Sequence, residues 1–189
     1  MKIRRAQAGD WDAVLALQEA NLHDNLPAAE RADGFLSVRF RREQFEQMNA
    51  GGAVVVAADG SRVTGYACCS TQAFNRGVLI IEAMVAAFPR LSLIGRPLAS
   101  DATAIYGPVC VNRRDRGTGV FRAMSAGLKA ELKGRFETAA GFIAKSNARS
   151  LAAHVEGAGM SLVGEFDFGG QAYWIVAFAV PPEAISCVL

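Results

Sequence analysis

Between Ile105 and Leu132 the chain changes its hydrophobic period in a single step. Alternating apolar residues (Ile105, Val109, Val111) run into Arg114-Asp115-Arg116-Gly117-Thr118-Gly119, and then into a helical pattern with Phe121, Met124, Leu128 and Leu132 on one face. A strand that feeds a long helix through a glycine loop belongs to a crossover unit with parallel strands, and so to an α/β architecture. The same order makes a phosphate cradle. Backbone N–H groups freed by Gly117 and Gly119, together with the unpaired N–H groups and partial positive charge of a helix start, can hold a pyrophosphate without a metal. A nucleotide-bearing ligand is the expectation.

The 189 residues fit one domain over 1–189, and 51% hydrophobic with 20% charged residues is the balance of a chain that buries a core. The net charge of +2 is too small for a polyanion partner, and the arginines are spread over several segments, so no nucleic acid is expected. Met1-Lys2-Ile3-Arg4-Arg5 is not followed by the apolar run of a signal peptide, and no stretch is long enough to span a bilayer. The expectation is a cytoplasmic protein with no membrane partner. Cys68, Cys69, Cys110 and Cys187 show no metal-binding spacing, and neighbours on a strand point to opposite faces. With only His23 and His154 beside them, no metal site is expected.

The remaining elements alternate. Lys2 to Gln7 reads as a strand, and Asp10 as the N-cap of a helix with Trp11, Val14, Leu15 and Leu22 inward. A second helix covers Arg41 to Met48. Ala53 to Ala57 and Val63 to Ser70 flank Asp59-Gly60 as a hairpin. Val78 to Phe88 reads as a helix, followed by a loop to Ala102. Then come a strand over Thr103 to Val111, a helix from Gly117 to Lys133, a strand over Ala139 to Ala144, and a short helix from Ala148 to about Glu156. A last hairpin, Ser161 to Phe168 with Tyr173 to Val180, turns at Gly169-Gly170. The sum is a mixed α/β sheet of about seven strands flanked by helices.

A dinucleotide fingerprint would need GxGxxG, and a Walker loop would need Lys-Ser/Thr after the glycines; both are missing. Gly107-Pro108 lies inside the strand before the loop, where proline removes a ladder donor and marks a bulge, an edge or a splay. A splay leaves backbone groups that an extended amide-bearing ligand could pair with as a surrogate strand.

Val111-Asn112-Arg113-Arg114-Asp115-Arg116-Gly117-Thr118-Gly119-Val120-Phe121 resembles the acetyl-CoA loop of the GNAT superfamily of acyl-CoA-dependent N-acyltransferases. Asn147 to His154 with Gly159-Met160 resembles that family's Asn-containing helix and the glycine–aromatic pair after it, and the likeness spans about residues 1 to 180. It implies a GNAT-like fold with a splayed central strand pair, and transfer of acetyl from acetyl-CoA directly to a primary amine. It implies pyrophosphate on the amides of Arg116, Gly117, Thr118, Gly119 and Val120, added charge from Arg114 and Arg116, main-chain pairing of pantetheine to Cys110 and Val111, and Asn147 beside the cofactor.

Where many members of that family carry a tyrosine acid, this chain has His154, which implies an imidazolium donor to the departing thiolate. The turn after it is one residue longer than usual and Met160 replaces the aromatic. Glu82, in the segment before the central strand, and Asp101, just upstream of that strand, are the candidate general bases, with ordered water as the alternative that the resemblance implies. The acceptor is a small-molecule or peptide amine, and a homodimer stays open. Phe35, Phe40, Phe45, Phe74 and Trp174 are either pocket or core. The rival readings are a non-catalytic acyl-CoA-binding or protein-interaction module of the same fold, and a plain nucleotide-phosphate binder.

Overall fold

Strands whose residues are apolar on both faces need cover on both sides, and the arrangement of helices follows from that. The computed structural model describes every residue except 32, 33, 37, 61, 99, 100 and 183–189. In chain order the elements are β1 (Lys2–Arg5), α1 (Trp11–Glu19), α2 (Ala28–Arg31), α3 (Arg42–Gly51), β2 (Ala53–Asp59), β3 (Arg62–Ser70), α4 (Leu79–Ala87), β4 (Ser92–Leu93), β5 (Arg96–Pro97), β6 (Thr103–Val111), α5 (Val120–Glu131), β7 (Thr138–Ala144), α6 (Ala148–Ala152), β8 (Ser161–Phe168) and β9 (Gln171–Ala179). The main sheet has seven strands in the order β1-β2-β3-β6-β7-β9-β8. Among the described residues of this sheet β6 and β7 run parallel and the other neighbouring strands antiparallel. The expected mixed α/β sheet of seven strands is the one observed.

Residue alternation divides the core. Val55 and Ala57 of β2 pack under α5 with Met124, Leu128 and Leu132, whereas Val54 and Val56 pack on the other face with Trp11, Val14 and Phe45 of α1 and α3. The same period sends Cys69 to the α5 side and Cys68 to the other, as adjacent strand positions must. Both thiols are fully buried; Cys187 lies outside the described residues. In α1 the inward face is Trp11, Val14 and Leu17, with Leu15 only partly buried. Asp10 precedes α1 but makes no side-chain cap to it; it holds Arg4 at 2.5 and 2.7 Å, which keeps its carboxyl below the usual range.

The link from β3 to β6 occupies 71–102, although the two strands are antiparallel neighbours that a tight turn could join. It covers the sheet face that α1 and α3 leave open: Met84, Ala87, Phe88, Leu93 and Leu98 pack on Ile105, Ala140, Ile175 and Ala177. The expected loop after α4 is instead a small hairpin, with Ser92 opposite Pro97 and Leu93 opposite Arg96. Its turn residues Ile94 and Gly95 have φ of 52° and 74°. A two-residue turn of this kind favours Asn-Gly or Gly-Gly, so the isoleucine hides it from sequence. Among the described residues, no helix is long and apolar enough to cross a membrane.

Candidate functional site: an opened strand pair ending in a glycine cradle

The central parallel pair parts early. β6 and β7 are in register only at Thr103–Thr138, Ala104–Ala139 and Ile105–Ala140. At the next step a Cβ on Gly141 would sit 2.6 Å from the Tyr106 carbonyl oxygen, so only glycine permits this approach before the strands diverge. On its other side β6 slips register against β3 between Ala67 and Cys69, across the Gly107-Pro108 pair, whose peptide bond is cis. Proline therefore occupies a bulge within a central strand, one of the few places a strand tolerates it.

Register decides which backbone groups face the opening. The Asn112 N–H bonds Thr64 O at 2.8 Å, and Asn112 stands opposite Thr64 in the ladder. Antiparallel pairs alternate between hydrogen-bonded and non-bonded, so Cys110 spends its main-chain groups on Tyr66, while Val109 and Val111 turn theirs to the other edge. Cys110, expected to pair with pantetheine, therefore has no main-chain group at the opened edge, whereas Val109 and Val111 do. The Cys110 thiol is buried and pushed up to about 12 by desolvation, with Arg116 pulling the other way, which leaves it no nucleophile.

After Val111, Asn112 caps a 3₁₀ turn over Arg113–Asp115 by accepting from Arg114 N at 3.1 Å. Gly117 and Gly119 then take φ of +77° and +88°, and an added Cβ at either would meet nothing within 4 Å. The expected helix start at Gly117 is corrected to Val120: a left-handed residue cannot continue a right-handed helix, and Gly119 forms the N-cap. Ala123 N makes the bond to Gly119 O at 3.0 Å, so the amides of Val120, Phe121 and Arg122 lie ahead of the helix's own ladder. Thr118 stabilises the turn by donating its hydroxyl to Asp115 O at 2.6 Å.

The two loop arginines differ. Arg114 is exposed. Arg116 is half-buried and donates to Val111 O at 3.2 Å and to Asn21 Oδ1 of the α1 end at 3.0 Å. It is a strut from the loop to α1 and not the outward-facing charge that the resemblance implies. Beside it a cavity of about 120 Å³ is lined by Leu17, Asn21, Leu26, Glu30, Arg113 and Arg116, and Glu30 pairs with Arg113 across it. Nothing local marks Asn21 as a partner 95 residues away from Arg116, and sequence reasoning missed it.

Asn147 caps α6 by accepting from Ser150 N at 3.0 Å. The extra residue in the following turn is accommodated as a π-helical turn over Ala153–Gly157: Ala158 N reaches back five residues to Ala153 O at 3.0 Å, and Met160 N bonds His154 O at 3.0 Å. Met160 is buried beneath α5 where the resemblance expects an aromatic. His154 lies between Tyr106 at the branch point and Phe121 at the start of α5, edge to face with both, at centroid distances of 5.5 and 4.9 Å. Its Nδ1 is 2.7 Å from Ser150 O; a carbonyl only accepts, so Nδ1 carries the proton. Burial pushes the imidazole below its ordinary value, partly opposed by that hydrogen bond. That burial disfavours the imidazolium which the resemblance implies.

Glu82 is not brought to the cradle. Its Oε1 accepts from Gly77 N at 2.8 Å, at the start of its own helix, in a hollow shared with Gln72, whose amide donates to Thr103 O at 3.4 Å. Thr103 is the first residue of β6. Asp101, next to that first residue, is exposed. The aromatic candidates divide likewise: Phe45 is core, Phe40 and Phe74 pack on it partly exposed, and Lys145 lies 4.0 Å over the Trp174 ring. Phe35 is 42% exposed.

A seven-stranded mixed sheet flanked by helices is the fold of solved acetyltransferases of the GNAT family. The chain is similar in structure to a GNAT-superfamily phosphinothricin acetyltransferase from Sinorhizobium meliloti in complex with acetyl-CoA, with a TM-score of 0.60 and 16% identity over 95% of this chain and 88% of that one. It is also similar to a ribosomal-protein-alanine N-acetyltransferase from Brucella melitensis (TM-score 0.59, 20% identity, 95% and 99% of the two chains). The ribosomal-protein-S18-alanine N-acetyltransferase of Escherichia coli gives a TM-score of 0.59 at 13% identity over 100% and 99%. No protein-family model and no curated protein matches the sequence.

Proposed function

We propose that this chain transfers an acetyl group from acetyl-CoA directly to a primary amine, without a covalent enzyme intermediate. The observation that carries the reading is the coincidence, at one end of β6, of an opened strand edge and a left-handed Gly117/Gly119 turn leading into a helix start. The open space at both glycines fits a pyrophosphate, which would lie on the amides from Gly117 to Phe121. The pantetheine arm would pair with Val109 and Val111 as a surrogate strand. An N–H from the same edge polarises the thioester carbonyl as negative charge develops on its oxygen. The solved acetyl-CoA complex of the same fold supports this choice of donor over a bare nucleotide. Asn147 keeps its place at the end of β7 and orders α6 as a cap.

The test is thiol release from acetyl-CoA against peptide, polyamine, aminoglycoside and amino-acid amines, alongside calorimetric titration of acetyl-CoA. Micromolar binding with amine-dependent thiol release is the expected result. Binding without release from any amine would leave a non-catalytic acyl-CoA module, and preference for simple nucleotides over CoA would leave a phosphate binder. Gly117→Glu abolishes binding, because it puts a bulky anion into the cradle.

A further inference from the structure

The long link from β3 to β6 covers the sheet with its later part, whereas its first residues fold around a hollow of about 240 Å³ lined by Gln72, Ala73, Asn75, Arg76, Ile81 and Glu82. That volume is below the roughly 300–1,000 Å³ of sites for drug-sized ligands, so an occupant is small. Asn75 is 6% exposed, and its amide has one orientation: Nδ2 donates to Thr71 O at 2.8 Å, a carbonyl that only accepts, and to Ser70 Oγ at 2.7 Å. Its Oδ1 has no donor among the described residues, yet it is not sealed with the buried unpaired atoms, which leaves it open to the hollow. Such an acceptor calls for an N–H or O–H from outside the chain. Glu82 commits Oε1 to Gly77 N at 2.8 Å and has Oε2 to offer. Arg76 is exposed, and its guanidinium makes no hydrogen bond or ion pair among the described residues. Opposite charges thus line one hollow without pairing with each other.

We propose that this hollow is a binding site for a free α-amino acid, separate from the acetyl-transfer site. The ammonium group brings N–H donors to Asn75 Oδ1 and the Glu82 carboxylate, and the carboxylate group takes the planar fork of Arg76. A plain amine leaves Arg76 without an anion. A plain carboxylic acid, ionised, meets Asn75 Oδ1 and Glu82, neither of which can donate to it. Ala73 and Ile81 are the apolar part of the lining, which suits a small aliphatic side chain. Gln72 ties the hollow to the start of β6 by donating to Thr103 O at 3.4 Å, whereas the cradle follows Val111 at the other end of that strand. An ammonium held against a carboxylate also stays protonated, so it has no lone pair with which to attack a thioester. The amino acid is therefore held and not acetylated. It joins the turn at Asn75–Arg76 to Glu82 of α4, the helix that lays Met84 and Ala87 on the sheet, and so stabilises the folded chain by binding it.

The test titrates the intact chain with L-alanine and L-valine by calorimetry and nitrogen-15 NMR, beside ethylamine and propionate, which each carry one of alanine's two charges. Saturable binding of an amino acid, at least about tenfold tighter than either one-charge compound, is the expected result, since each of those loses a charge-assisted contact. Binding moves the resonances of the Asn75 side-chain amide and the Gly77 N–H and leaves those of Gly117 and Gly119 in place. Arg76→Gln and Glu82→Gln each weaken it about tenfold or more. Glutamine keeps an oxygen for Gly77 N, and a melt within about 2 °C of the parent reports that each variant is folded. Absence of saturable binding up to about 10 mM, or equal binding of the one-charge compounds, overturns the site. Thiol release from acetyl-CoA that depends on the amino acid and is lost in Arg76→Gln overturns its separation from acetyl transfer.

Discussion

Gly119 separates the cost of backbone strain from the cost of filling the cradle. Its φ of +88° and ψ of −3° are left-handed, and a Cβ built there touches nothing within 4 Å. In the free protein the penalty for Gly119→Ala is therefore conformational and not steric, roughly 1–2 kcal/mol. For a chain of this size each kcal/mol lowers Tm by about 2–4 °C, so alanine lowers it by about 2–8 °C in a thermal melt. Asparagine tolerates the left-handed region and is a good N-cap, so Gly119→Asn stays within about 2 °C of the parent. Both variants put atoms where the diphosphate would lie, and both weaken acetyl-CoA by at least about tenfold in calorimetry, ~1.4 kcal/mol. The asparagine variant decides: stability kept with affinity lost identifies the open space as the ligand site. Gly119→Asn binding acetyl-CoA as tightly as the parent would refute the cradle.

Two further outcomes follow from the core and from the histidine. Leu128 is fully buried between α5 and the sheet, and Leu128→Ala costs about 2–5 kcal/mol, read as a shift in urea midpoint without a change in slope. His154 has a folded pKa below its unfolded value, so the unfolded chain binds more protons in the window between them. Its contribution is fully present above about pH 6.5 and is lost as pH falls through the folded value. Between pH 7 and pH 5 the parent loses more stability than His154→Phe; parallel pH profiles of the two would contradict the buried neutral ring.

The period of the apolar residues was enough to fix β2, β3, β6, α5, β7 and the β8–β9 hairpin, because alternation and helical spacing are local consequences of which face is covered. The glycine loop ahead of α5 was equally legible, but its left-handed turn at Gly117 and Gly119, which moves the helix start to Val120, came from the geometry. The single residue too many before Gly159 was visible as spacing, but its resolution into a π-helical turn needed the geometry. Tertiary structure alone decided the rest. Register gave the open edge to Val109 and Val111 and withdrew Cys110; no residue type records which way a main-chain amide points. Arg116 became a strut because Asn21 came within 3.0 Å of it, and the charged form of His154 is disfavoured because packing against Tyr106 and Phe121 buries the ring. Sequence determines which groups are present and which local shapes they favour. Burial and partners distant along the chain determine which of those groups are free to act, because solvation and hydrogen bonding are properties of the packed neighbourhood.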